Sequence, residues 1–422
     1  VKKIRIFNCL DISRQLIMDK APGANVLSCL LLRLNNNIIK DQMDNRPNKK
    51  LSNLYIHYGA ISFDEMPYNT SLIGHPIRIT DLFQCIDIEG HEHEFLARKL
   101  VSNVEKESTL YTPIKTLEYF DNIDDLIEKY NNTIYSGHQG RKICKLFDNL
   151  YIQQYENDIF TIITKFKEIS ASGVDNYCED FQSWYESEGK IKIDSQEKLT
   201  KLKTLFEKTK LSLVYGPAGT GKTYFVNHIV DLYKDKQILF LSQTNTAVNN
   251  LKGRIEKNNN FKFETIYQFV NNDIRNNYDI LIVDECSIVS NEDMNKILTT
   301  IECNQIIAVG DVFQIEAISF GNWFNLSRFF VPKYCITDLS DTHRTSDKEL
   351  LKLWTNVRTL QCDIQESIDR NGFSSDLDDS IFKPYSKDEI ILCLNYDGLY
   401  GINNINRFLQ ENNPNKAIYW DV

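Results

Sequence analysis

From about residue 190 onward, apolar runs and amphipathic stretches alternate in a regular order. Leu211–Tyr215 (LSLVY), 238–241 (ILFL), 280–283 (ILIV) and 305–309 (QIIAV) are short and nearly continuously apolar. Such runs are expected of strands covered on both faces. Between them lie helix-like stretches at 223–233, 247–255 and 291–301. Strands alternating with helices predict βαβ units on a parallel sheet, hence one α/β domain over about residues 191–335. The first 190 residues read differently. Aromatic and charged segments alternate there without that rhythm, with helices expected around 123–130 and 159–169. Residues 1–190 are therefore expected to form a mixed, α-rich accessory domain that regulates the rest or binds a protein partner.

Composition narrows the class. In 422 residues, 42% hydrophobic and 25% charged content is ordinary for globular proteins and excludes a wholly disordered chain; the length predicts two or three domains. No run approaches the ~18 uninterrupted apolar residues of a membrane span, and Val1 to Leu10 carries no long apolar segment of a secretory signal. The ten cysteines include no Cys-x-x-Cys, so a reduced, cytoplasmic setting is expected. The net charge of −10 is shared: residues 1–190 hold 22 basic and 27 acidic side chains, residues 191–422 hold 26 and 31. That argues against indiscriminate coating of a polyanion and leaves room for a local basic groove.

Chemistry enters after the first strand, with Gly216-Pro217-Ala218-Gly219-Thr220-Gly221-Lys222-Thr223. This is G-x-x-x-x-G-K-[ST] between a strand and a helix. Gly216, Gly219 and Gly221 let backbone N–H groups, with that of Thr220, turn inward around phosphate oxygens, and the helix start adds its positive end. Lys222 can reach the β/γ-phosphates of ATP, and the Thr223 hydroxyl can ligate Mg²⁺. The run ending at Val283 leads into Asp284-Glu285-Cys286-Ser287, which sets Asp284 at a strand's carboxyl end, where α/β sheets bind ligands. Asp284 is expected to hold Mg²⁺ and Glu285 to orient the attacking water. Gln314, after the Gly310-Asp311 turn, is placed to report the γ-phosphate, and Gln196 to meet an adenine edge. Thr244, Asn245 and Thr246, small polar groups at a helix start, suit a nucleic-acid backbone.

Taken in order, these motifs resemble those of superfamily 1 helicases. Gln196 is similar to the Q motif, GPAGTGKT to motif I, SQTNTAV to motif Ia, VDECS to motif II and VGDVFQIEAI to motif III, with Ile315 where Leu is usual. Thr265-Ile266-Tyr267-Gln268-Phe269 resembles a short strand-contacting element, with Tyr267 in place of His, and implies a nucleic-acid contact at Thr265. ITDLSDTHR resembles motif IV and implies that Arg344 meets the γ-phosphate. A strand over 390–394, a Gly398-x-x-Gly401 turn, an Asn-bearing helix and Asn413-Pro414 resemble the RecD/TraA subgroup, which implies 5′-to-3′ movement. The resemblance covers about residues 191–422. It implies a RecA-like ATP-binding domain at 191–335 and the start of a second RecA-like domain at 336–422. Motifs V and VI do not follow before Val422, so the expectation is a truncated chain that binds ATP and hydrolyses it poorly. The expected function is an ATP- and Mg²⁺-dependent translocase or helicase on single-stranded nucleic acid, DNA ahead of RNA. The alternatives are an ATP-dependent switch whose N-terminal domain is the effector, or a remnant that binds nucleic acid without turnover.

Other features favour plainer readings. Trp323 and Phe324 could stack on a base but are more simply core. His91 and His93 lack further ligands at useful spacing, so a solvated polar segment is expected instead of a metal site. Lys198, Lys201, Lys203, Lys208 and Lys210 read mostly as a solvated face, with some able to line the mouth of the nucleotide site.

Overall fold

The computed structural model describes residues 6–21, 89–134, 136–189, 193, 195–272, 277–315, 317–340, 347–374 and 391–412, with a few short pieces between 24 and 55. α1 (Ile6–Met18) and a two-residue pairing of β1 (Pro47–Asn48) with β2 (Leu54–Tyr55) come first. An accessory module follows: α2 (Glu92–Glu107), β3 (Thr112–Pro113), α3 (Ile123–Thr133), β4 (Ile143–Leu146) and β5 (Asn149–Ile152). β4 and β5 form an antiparallel hairpin with β3 on the far edge of β5. Leu96, Leu100 and Val101 of α2 pack with Tyr130, Ile143, Leu150 and Ile152 into its own core.

The second core is the large one. α4 (Gln153–Ile169), α5 (Tyr177–Trp184) and α6 (Gln196–Lys203) lead into β6 (Leu211–Tyr215), α7 (Lys222–Leu232), β7 (Ile238–Ser242) and α8 (Asn245–Arg254). β8 (Phe261–Thr265), α9 (Ile266–Val270), β9 (Asn277–Val283), α10 (Asn291–Thr300), β10 (Glu302–Gly310), α11 (Trp323–Phe330) and β11 (Ile336–Asp338) complete it. The described residues form a six-stranded sheet in the order β11-β6-β10-β9-β7-β8, with every pairing parallel. The expected fold class is therefore present: a parallel-sheet, RecA-like P-loop domain.

The pleat divides each strand between two cores. Leu211, Leu213, Leu239, Leu241, Leu281, Val283, Ile306 and Ala308 face α4, α9, α10 and α11. Val214, Ile238, Phe240, Ile280, Ile282, Ile307 and Val309 face α5, α6, α7 and α8. Continuous apolar runs were the signature of this double burial. β8 and β11 lacked it: Phe261–Thr265 (FKFET) is an edge strand, and β11 is only three residues long.

Two boundaries differ from the sequence expectation. Ile162 and Phe166 of α4, and Tyr177, Phe181 and Trp184 of α5, lie in the cores of the central sheet, so the helical layer of that domain begins before residue 190. Ile336–Asp338, expected to open a second lobe, pairs with β6 as the sheet's edge strand. Apolar pattern marks a helix's buried face but not which sheet buries it.

Residues 345–422 cluster as a separate unit. It contains α12 (Lys348–Arg358), α13 (Ile364–Arg370) and α14 (Ile402–Asn412). The Asn-bearing helix is thus α14. Residues 391–394, expected to be a strand, have no regular secondary structure, and Leu392 and Leu394 are exposed; an apolar run makes a strand only where a partner strand accepts its backbone. Ile390, Asn413 and Pro414 lie outside the described residues. Among the described residues no helix is long and apolar enough to cross a membrane.

Candidate nucleotide site

The carboxyl ends of β6, β9 and β10 deliver the motif residues to one place. A cleft of about 780 Å³ is lined by Gly219, Gly221, Lys222, Thr223, Asp284, Glu285 and Gln314, together with Lys198, Tyr224, Asn227, Asn250 and Arg254. Strand order explains the spacing. β10 lies between β6 and β9, so the turn carrying Asp311 and Gln314 emerges between the phosphate-binding loop and the acid pair.

The loop has the conformation its sequence requires. Gly219 (φ 89°) and Gly221 (φ 77°) occupy the left-handed region that L side chains avoid, and a Cβ on Gly216 would sit 2.8 Å from the Leu339 carbonyl oxygen. Thr220 is buried and its hydroxyl donates to the Pro217 carbonyl (2.9 Å), bracing the turn. Gly221 caps α7 without a side-chain hydrogen bond, and the first turn of α7 carries no acidic residue. That is a donor set suited to a phosphate. Lys222 Nζ donates to the carbonyls of Gly216 (2.8 Å) and Pro217 (3.1 Å), which holds the ammonium over the loop.

Opposite stands the acid pair. The Asp284 N–H donates to the Leu241 carbonyl (2.9 Å), fixing the strand end. Burial, reinforced by the neighbouring Glu285 charge, pushes the Asp284 carboxyl up to about 6. Glu285 has φ 54° and ψ 45°, a left-handed conformation unusual for a non-glycine residue, at the start of the 3₁₀ turn Cys286–Ile288. Such strain costs on the order of 1–3 kcal/mol and concentrates at functional sites. Together Asp284, Glu285 and the Thr223 hydroxyl offer the oxygen donors that a hard divalent cation takes, so these residues fit Mg²⁺. Gln314 is exposed at the cleft, on a turn closed by Asp311, whose carboxylate accepts from the Phe313 N–H (3.1 Å).

Other candidates fall elsewhere. Gln196 is exposed on the first turn of α6 and does not line the cleft. Lys198, two residues on, does: it is 1% exposed, with its ammonium over the Tyr224 ring at 5.9 Å. The expected solvated face thus turns one lysine inward, because α6 packs on the sheet. Arg254 is a second cleft residue with no motif to announce it. Arg344 lies outside the described residues.

The candidate strand contacts follow adjacent strands. Thr244 caps α8, its hydroxyl accepting from the Ala247 N–H (3.2 Å), and Asn245 and Thr246 are exposed beside it. Ser242 at the end of β7 pairs with Thr265 at the end of β8, so both segments share one rim. Thr265, however, is buried, and its hydroxyl is engaged in a capping box with Gln268. Tyr267, 77% exposed, projects from that segment instead. Trp323 and Phe324 are core: Trp323 Nε1 donates to the Val289 carbonyl (3.0 Å), and Phe324 stacks on Tyr215 at 4.4 Å. The His91–Glu94 segment, expected to be solvated, buries His93 and Glu94 on α2; among the described residues no group of three metal-ligating side chains forms.

Residues 194–372 match a family profile described as an AAA domain. Among curated proteins, an uncharacterized protein of Methanocaldococcus jannaschii is 25% identical over 245 residues, covering 49% of this chain and 21% of the relative. Replicase polyprotein 1ab of Bat coronavirus 512/2005 is 29% identical over 137 residues, covering 27% and 2%. Among solved structures, Pif1 helicase from Bacteroides in complex with ADP-AlF3 and single-stranded DNA aligns with a TM-score of 0.37 and 16% identity, covering 54% of this chain and 58% of that one. The chain spans less than two thirds of the length of each of these relatives.

Proposed function

We propose that this chain, whose residues 194–372 match an AAA domain profile, is a superfamily 1 P-loop helicase that hydrolyses ATP with Mg²⁺ to move along single-stranded nucleic acid, DNA ahead of RNA. The observation that carries this reading is the convergence of Lys222, Thr223, Asp284, Glu285 and Gln314 on one cleft from three strand ends. Bound Mg²⁺–ATP would supply the phosphoanhydride bond and a cation to neutralise charge on it. Lys222 and the loop amides bind and orient the phosphates, while Thr223 and Asp284 hold the metal. Glu285 takes the proton of the attacking water, and Gln314, on its short braced turn, reports the terminal phosphate to the rest of the chain. Asn245 and Thr246 on α8, with Tyr267 on the same rim, contact the strand. Arg344 is proposed to supply positive charge to the same phosphate, and residues 1–190 to engage a protein partner.

The test is steady-state phosphate release with and without single-stranded DNA and RNA, beside Glu285→Gln. We expect stimulation by a strand, DNA above RNA, and a loss of about 10²-fold or more in the variant. Turnover indifferent to both polymers would replace the motor with a nucleotide switch. Turnover unchanged by Glu285→Gln would remove the acid pair from the mechanism.

A further inference from the structure

Arg254 belongs to no motif in the sequence, yet two residues one turn apart on α7 hold it. The Asn227 side-chain amide donates to the Arg254 backbone carbonyl (3.0 Å), and Arg254 Nη1 donates to the Thr223 hydroxyl oxygen (3.4 Å). Positions 223 and 227 share a helix face, so one stripe of α7 grips both the backbone and the guanidinium. Arg254 lines the same cleft as Lys222, Asp284 and Glu285, and its charge lies near enough to favour the ionised form of Asp284.

We propose that Arg254 is a further residue of the nucleotide site, a built-in cation that competes with Mg²⁺ for the Thr223 hydroxyl. The inference rests on reading the cleft as a site for a Mg²⁺–nucleotide. A guanidinium only donates, so the Thr223 oxygen must offer it a lone pair. Metal ligation draws on that same oxygen. The two cations repel each other at one oxygen, so when Thr223 turns to the metal the guanidinium gives up its hold.

The helix it comes from gives this exchange a consequence. Arg254 ends α8, and Thr244 caps its start, beside the exposed Asn245 and Thr246. Ten residues of helix span about 15 Å. Metal loading at Thr223 therefore loosens one end of a rod whose other end carries the candidate strand contacts. This ties occupation of the nucleotide site to the rim on which nucleic acid is proposed to lie.

The test is equilibrium binding of a fluorescent ADP analogue to the full chain, titrated with Mg²⁺ and repeated in EDTA. Wild type is compared with Arg254→Ala, Arg254→Lys and Asn227→Ala. In Arg254→Ala, the Mg²⁺ concentration for half-maximal tightening should fall about three- to tenfold, the scale of one net hydrogen bond. Affinity in EDTA should weaken by a similar factor, because the resident positive charge has gone. Arg254→Lys should recover the EDTA affinity in part, and Asn227→Ala should lower the Mg²⁺ requirement with the guanidinium intact. Wild-type binding that tightens with Mg²⁺, with an Arg254→Ala variant that matches it or weakens equally with and without Mg²⁺, would overturn the proposal and leave the nucleotide site standing. If the wild type shows no Mg²⁺-dependent binding at all, the reading of the cleft falls and takes this inference with it.

Discussion

The central sheet and the accessory hairpin are built on opposite terms. Every residue of β6 and β7 is buried, because helices cover both faces of the central sheet. In the accessory hairpin, β4 buries one residue of four and β5 alternates, since only one face meets a core. Charge follows a matching division. α2 of the accessory module buries His93, Glu94 and Arg98 within one turn and a half. In the central domain burial raises Asp284, at the carboxyl edge of the sheet, and Asp158, where α4 meets α10. The central sheet is apolar within and polar at its carboxyl edge, so its polar groups gather around one cleft. The accessory module spends buried polar groups on its own interior, where they tie stability to pH.

The strongest challenge to this division is a helix on the wrong side of it in sequence. Phe166 on α4 meets Trp323 edge-on at 5.9 Å within the central core. Phe166→Ala should cost about 3–5 kcal/mol. It should lower the urea midpoint of the central domain, read by tryptophan fluorescence and by nucleotide binding. An effect confined to the accessory module would mean that α4 belongs there. The reciprocal substitution, Leu100→Ala in α2, should cost about 2–5 kcal/mol. It should increase proteolysis within residues 92–152 and leave nucleotide affinity unchanged; a parallel loss of affinity would merge the two cores into one. A smaller effect, about 1–3 kcal/mol, is expected from Asn295→Ala, which removes the donor to the buried Asp158 carboxylate (2.6 Å) joining α10 to α4.

The pH effects are finer. Burial pushes Glu94 up from 4.5 to about 8, so the folded module retains a proton that the unfolded chain releases. Its stabilising contribution is complete below 4.5, declines as the pH rises and is gone above about 8. Thermal unfolding from pH 5 to 9 should show that decline in wild type, levelling off above about 8, and a flatter profile in Glu94→Gln. At the other edge, Asp284 must be ionised to hold a metal. The Mg²⁺ requirement for nucleotide binding should rise as the pH falls through about 6, and Asp284→Asn should lose this dependence. A wild-type requirement that stays flat from pH 7.5 to 5.5 would remove Asp284 from the metal site.

What the sequence determined is what local chemistry can encode. Gly219 and Gly221 declare left-handed turns, Lys222 and Thr223 follow at the spacing a phosphate needs, and a run of doubly buried apolar residues announces where Asp284 must emerge. The tertiary structure decided which groups share a space. It inserted β10 between β6 and β9, setting Gln314 between loop and acids. It drew Lys198 and Arg254 into the cleft, engaged Thr265 in a helix cap while leaving Tyr267 exposed, and laid α4 and α5 on the central sheet. Periodicity reports that a residue has a buried side, but burial itself is a relation between distant segments. A lysine on an amphipathic helix or a three-residue edge strand carries no local mark of the partner that gives it a role.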